Sequence, residues 1–287
     1  MPDAQSPAHL LTVSTLPDLR RELAKLRKDK GKVGFVPTMG ALHDGHLTLV
    51  RHARSVSDVV AVSIFVNPLQ FAPTEDLDRY PRQEDADIAL LKDAGCDLVY
   101  VPTPDVLYPK GFVSRIEMAG PALGLESDFR PQFFSGVATV VSKLFNQVRP
   151  DIAIFGEKDF QQLAVIRAMV RDFDMAIDVV GHPTVREQDG LALSSRNAYL
   201  NAEERVVAPK LHQALQRIRT VAKDGGNTNR AIGEACDDLI DAGFDKIDYI
   251  ALRDADTLGE ITADTKAARV LAAVWLGTTR LIDNIAV

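Results

Sequence analysis

The sequence predicts an α/β protein: a doubly wound parallel sheet followed by a smaller α+β domain. Short apolar runs alternate with segments of helical periodicity through the first two-thirds of the 287 residues. That alternation suits βαβ crossovers and hence a parallel sheet. After Pro183 the character changes to a polar loop, long helices and two further strand-like runs.

Val33 to Pro37 reads as a short buried strand leading into the turn Thr38-Met39-Gly40. Gly45 to Val56 reads as a helix, with Leu47, Val50 and Ala53 on one face. Val59 to Val66 is a β-branched strand stopped by Asn67-Pro68. A charged segment from Gln83 to Ala94 reads as a helix, and Asp97 to Val101 as a strand ended by Pro102 and Pro104. Val137 to Val148 is periodic at helical spacing and stops before Pro150. Asp151 to Phe155, Phe160 to Phe173 and Ala176 to Val180 continue as strand, helix and strand. Beyond the polar loop Arg186 to Asn197, one helix is expected from Ala202 to Lys223, broken by Asp224-Gly225-Gly226-Asn227. A further helix and strands at Lys246 to Leu252 and Arg269 to Leu276 complete the chain. The expected division is 1–182 and 183–287.

Composition narrows the function. The net charge of −7 argues against a broad nucleic-acid-binding face. Cys96 and Cys236 are far apart and in no ligand spacing, which fits a reducing compartment. The stretch Met1 to Leu11 has no basic region followed by a long apolar run, and no segment approaches the ~18 apolar residues of a membrane span. The expectation is a cytoplasmic enzyme with small-molecule partners, without nucleic acid or membrane.

In doubly wound sheets ligands bind beyond the carboxyl ends of the strands, and four segments fall in such places. The first is Met39-Gly40-Ala41-Leu42-His43-Asp44-Gly45-His46, between a strand and a helix. A helix N-terminus offers unpaired N–H groups to an anion, and two histidines three apart can face one side of a helical turn. The second, Phe65-Val66-Asn67-Pro68-Leu69-Gln70, carries uncharged amides suited to a hydroxy acid. The third, Gly156-Glu157-Lys158-Asp159-Phe160-Gln161-Gln162, offers a point charge for phosphate and an amide one turn on. The fourth, Asp189 to Asn197, combines Ser194, Ser195 and Arg196 as a mobile phosphate clamp.

Each segment alone also has a plainer reading: a capped turn, a strand-ending turn, a solvated helix cap and a Ser-rich linker. A P-loop fails because His46 stands where Lys belongs. Zinc at His43 and His46 lacks further ligands nearby.

Together and in this order, the four segments resemble pantothenate synthetases, from about Gly34 to the closing Leu276-Gly277-Thr278-Thr279-Arg280-Leu281-Ile282-Asp283-Asn284. His43-Asp44-Gly45-His46 is similar to the His-Ile-Gly-His signature of adenylate-forming nucleotidyltransferases. The resemblance implies a Rossmann-like N-terminal domain, a C-terminal domain closing over ATP, and a homodimer. It implies ATP as substrate with Mg2+, (R)-pantoate and β-alanine as the other substrates, and a pantoyl-adenylate intermediate on the way to pantothenate.

The resemblance carries ATP contacts onto Met39 through His46, Gly156 to Asp159, Val185 and Leu193 to Arg196. His46 is the proton donor, with His43, Lys158 and Arg196 as the other catalytic positions. Gln70 falls to pantoate and β-alanine, Gln162 to pantoate, and Asn67 joins the acid-binding amides. Leu193 replaces a frequent Met at similar volume. Gln132-Phe133 stands where Gly-His is expected, and Glu84-Asp85-Ala86-Asp87 lies where relatives place magnesium-associated acids. The rivals are a nucleotidyltransferase whose product keeps the nucleotide, and a catalytically silent nucleotide-binding module.

Overall fold

The structure, a computed structural model, describes residues 10–72 and 77–287. Most of the N-terminal stretch weighed above as a signal segment therefore lies outside the described residues. Chain order begins with β1 (Leu11–Val13), α1 (Leu16–Lys30), β2 (Val33–Thr38), α2 (Asp44–Val56), β3 (Val59–Ile64), α3 (Glu84–Asp93) and β4 (Leu98–Tyr100). It continues with α4 (Pro104–Leu107), α5 (Glu126–Phe129), α6 (Phe133–Val148), β5 (Ile152–Gly156), α7 (Phe160–Asp172) and β6 (Asp178–His182). Then come α8 (Ala202–Val207), α9 (Lys210–Lys223), α10 (Thr228–Asp241), β7 (Lys246–Asp254), β8 (Ala268–Leu276) and β9 (Thr279–Ala286).

These elements pack as two compact units. The first takes residues up to Met118, Gln132–Gly156 and Ile166–His182; the second takes Ala119–Pro131, Glu157–Val165 and Pro183–Val287. The units are thus not separated by a single cut at 182/183, because two earlier segments belong to the second.

The first unit is built on a six-stranded sheet in the order β1-β4-β3-β2-β5-β6, parallel throughout. Strand alternation sends neighbouring side chains to opposite faces. Phe35 meets Phe145 of α6 edge-on at 6.4 Å, whereas Val36 joins Leu47 and Val50 of α2 and Leu91 of α3. Each such fully buried side chain contributes about 1.5–3 kcal/mol. The chain builds outward from β2 to β3 and β4, then returns to place β5 on the other side of β2. Thr38 and Gly156 therefore end neighbouring strands at the switch point, where open α/β sheets bind ligands.

In the second unit, the antiparallel sheet β7-β8-β9 packs with α9 and α10 around Leu211, Leu215, Ile218, Leu239, Val270 and Val274. The segment Ala119–Pro131 is fastened to this sheet. Arg280 Nη1 donates to both Glu126 oxygens at 2.9 and 2.8 Å, and the Tyr249 hydroxyl donates to Glu126 Oε1 at 2.9 Å.

Three differences from the sequence expectation have physical causes. The expected helix from Ala202 to Lys223 is two, because Pro209 has no N–H and interrupts the ladder after Val207. Strand β9 went unassigned because buried polar Asp283 and Asn284 hide its alternation. Strand β1 and helix α1 were also missed. The helix is mostly polar, although Thr15, which accepts the N–H of Asp18, and Pro17 mark its start. Among the described residues, no helix is long and apolar enough to cross a membrane.

Candidate active site

In the first unit, the candidate residues follow the end of β2. Gly40 and Ala41 both take left-handed backbone, at φ 81° and 50°. A side chain at Gly40 would be strained there, and its Cβ would lie 3.0 Å from Asp87 Oδ2. The turn is held from α3: Asp87, 1% exposed, accepts the N–H of Ala41 and of Leu42 at 2.9 Å each.

His43 caps α2, with extended backbone, and its Nδ1 accepts the N–H of Gly45 at 3.1 Å. His46 reaches back, its Nδ1 accepting the N–H of His43 at 3.4 Å. The N–H groups of His46 and Leu47 go to the His43 carbonyl. The loop and helix start therefore spend several of their amides internally, contrary to the expectation of an open amide cradle. With Nδ1 accepting, each neutral ring carries its proton on Nε2. The rings lie 4.1 Å apart, tilted by 39°.

Asn67 and Gln70 follow β3. Asn67, 1% exposed, donates to Gln70 Oε1 at 2.9 Å and to the Gly136 carbonyl at 3.2 Å. It accepts from Leu69 N and the Tyr108 hydroxyl, so its amide is saturated within the protein and serves to orient Gln70. This replaces the expected substrate contact by Asn67. Gly136 makes the approach possible, since a Cβ there would overlap the Leu69 carbonyl.

In the second unit, the candidate residues begin just after β5. Glu157, Lys158 and Asp159 form a single 3-10 turn leading into α7. Lys158 Nζ lies 3.8 Å from Asp159 Oδ2, and the Lys158 side chain is 19% exposed. Gln161 is buried and structural, donating to the carbonyls of Pro121 and Gly124, while Gln162 is half-buried. The expected mobile clamp is a pinned hairpin: Leu193 N–H bonds the Val185 carbonyl at 3.0 Å, bringing two predicted nucleotide contacts side by side. Arg205 ties down its tip through Glu187 and Asp189, both at 2.7 Å. Ser194 caps the short 3-10 turn that carries Ser195 and Arg196.

The described residues do not build a resident magnesium site. Among the described residues no three of His, Cys, Asp and Glu come together, and both Asp87 oxygens are taken by backbone amides. Asp87, expected only within a magnesium-associated acidic stretch, instead holds the histidine turn of the first unit, and Asn284, to which the sequence assigned no role, holds the Lys158 turn of the second. Only their distant backbone partners reveal them.

The family model for pantoate-beta-alanine ligase matches residues 11–286. The chain belongs to the pantoate–β-alanine ligase family. It is 55% identical over 275 residues to the pantothenate synthetase of Bradyrhizobium sp. (strain BTAi1), covering 95% of this chain and 97% of that protein. Its fold matches the crystal structure of pantothenate synthetase from Thermus thermophilus at a TM-score of 0.88 and 48% identity, over 96% and 98% of the two chains. A pantoate-beta-alanine ligase from Francisella tularensis, solved with beta-gamma ATP and beta-alanine, matches at a TM-score of 0.81 and 35% identity, over 96% and 97%.

Proposed function

We propose that this enzyme joins (R)-pantoate to β-alanine at the expense of ATP, through pantoyl adenylate, to form pantothenate for coenzyme A synthesis. One observation carries the reading: His43 and His46 packed 4.1 Å apart at the N-terminus of α2, just beyond the switch point. The Francisella relative, solved with an ATP compound and β-alanine, supports the choice of substrates.

In the first step a pantoate carboxylate oxygen bonds to the α-phosphorus of ATP as the bond to pyrophosphate breaks. Such displacement needs positioning and charge stabilisation more than covalent help. His43, Lys158 and Arg196 stabilise the growing phosphate charge, and His46 gives a proton to the departing pyrophosphate. Met39 to His46, Gly156 to Asp159, Val185 and Leu193 to Ser195 complete the nucleotide contacts. Magnesium arrives with the triphosphate rather than in a protein cage.

In the second step the β-alanine amine attacks the acyl carbon, the bond from that carbon to the phosphate oxygen breaks, AMP leaves, and the new amide nitrogen gives up one proton to solvent. Gln70, held by Asn67, orients both acids, and Gln162 orients pantoate. Residues 1–182 carry most of the pantoate and nucleotide contacts, and residues 183–287 close over ATP. Assembly as a cytoplasmic homodimer is part of the same reading.

The test is pantoate-dependent exchange of labelled pyrophosphate into ATP, followed by β-alanine addition and AMP measurement. Exchange and AMP release equal to amide formed are expected. A product that retains the nucleotide, or ATP binding without exchange, overturns the reading.

A further inference from the structure

Strand β9 holds the turn that carries Lys158. The side chain of Asn284, 3% exposed, donates one N–H to the Glu157 carbonyl at 2.9 Å and the other to the Lys158 carbonyl at 2.8 Å. Two successive carbonyls pointing the same way are what a helical turn produces, and one amide nitrogen bridges both. Its orientation is fixed from behind. Asn284 Oδ1 accepts from Arg269 Nη1, and because arginine only donates, the amide nitrogen must face the carbonyls. Arg269 also reaches Glu157 Oε2 at 3.0 Å and lies 3.8 Å over the Phe160 ring. Residues on both sides of Lys158 are thereby tied to β8 and β9.

We propose that Asn284 is a positioning residue for adenylation: it sets the backbone from which Lys158 aims its charge at ATP phosphate. This rests on the phosphate-facing role of Lys158 proposed above. Its counterpart is a merely structural role, in which loss of the amide weakens the unit without acting through Lys158. The two differ in what happens when Lys158 is already gone.

Asn284→Asp keeps the shape and the Oδ1 acceptor for Arg269 but turns an acceptor toward two carbonyls. Asn284→Ser keeps a single donor. Each is made alone and together with Lys158→Ala, and ATP dissociation constants, pyrophosphate exchange and thermal midpoints are measured. Displacing a positioned group by about 1 Å can lower a rate on the order of 10²-fold. Such a loss of exchange is expected for Asn284→Asp, together with a lowered midpoint because its buried carboxylate faces two carbonyls, and a smaller loss with a near-native midpoint for Asn284→Ser. Adding Asn284→Asp to Lys158→Ala should change ATP affinity and residual exchange by less than about threefold, since coupled residues are non-additive.

Fully additive effects overturn the proposal, as does native exchange in Asn284→Asp. If neither variant folds, Asn284 is a stability residue and the proposal falls. Native exchange in Lys158→Ala alone removes the underlying role of Lys158, and failure of the wild-type chain to exchange removes the reaction itself; either takes the proposal with it.

Discussion

The Asp87 carboxylate accepts the backbone N–H of Ala41 at 2.9 Å, from a helix 46 positions further along the chain. Its second oxygen takes Leu42, so one buried side chain shapes the turn that delivers His43. Ala41 is a non-glycine residue in left-handed backbone, a conformation of order 1–2 kcal/mol above the right-handed one. Asp87→Asn presents a donor to one of the two amides and leaves it unsatisfied, at about 1–3 kcal/mol. The expected result is a lowered thermal midpoint together with reduced pyrophosphate exchange. An unchanged midpoint and rate in Asp87→Asn would show that the turn holds without the carboxylate.

The two histidines separate by what else they do. His43 is the N-cap of α2, so His43→Ala removes a cap of roughly 1 kcal/mol as well as the proposed phosphate donor. His46 meets the backbone through a longer contact of 3.4 Å, so its loss should fall mainly on the proposed catalytic step. His46→Ala and Lys158→Ala should lower adenylation by orders of magnitude while circular dichroism and the melting midpoint stay close to native. Near-native exchange in either purified variant refutes that residue's catalytic assignment.

Gly136 is the contact point between α6 and the turn Pro68–Gln70. Alanine is the better helix former, by about 1 kcal/mol, so propensity alone predicts stabilisation by Gly136→Ala. The steric argument predicts the opposite sign, because the new methyl overlaps the Leu69 carbonyl and no rotamer relieves it. Over-packing of this kind amounts to about 1–3 kcal/mol. Denaturant unfolding should show destabilisation, and the displaced Gln70 should raise KM for pantoate; a more stable variant sinks this account.

The acid limb of stability depends on Asp283. Burial pushes its carboxyl up, but His212 Nδ1 at 3.6 Å and the two-pronged Arg186 contact at 2.7 and 2.8 Å more than offset this, leaving it below the ordinary 3.8. A depressed folded-state value means the contribution is fully present above the unfolded value and is lost as pH falls through the folded one. Wild-type stability should therefore drop as pH falls below about 4. Asp283→Asn should start lower at pH 7 and show a shallower acid limb; identical slopes in melting midpoint against pH would exclude Asp283 as a contributor.

Local order in the chain was enough to read the doubly wound sheet, since the β-branched run at Val59 and the periodic helix at Val137 show it directly. It was also enough for the family, because the histidine, FVNPLQF, FGEKDFQQ and SSRN segments are contiguous motifs. Tertiary structure alone decided how those motifs are held. Nothing near Asp87 in sequence says that it binds Ala41, and nothing near Asn284 says that it grips Glu157 and Lys158. Asn67 looked like a substrate ligand until the Tyr108 hydroxyl and Gly136 carbonyl were found to occupy its amide. The physical reason is common to all three. A buried polar group must be satisfied, and here its partner comes from a segment distant in sequence, which no local pattern reveals.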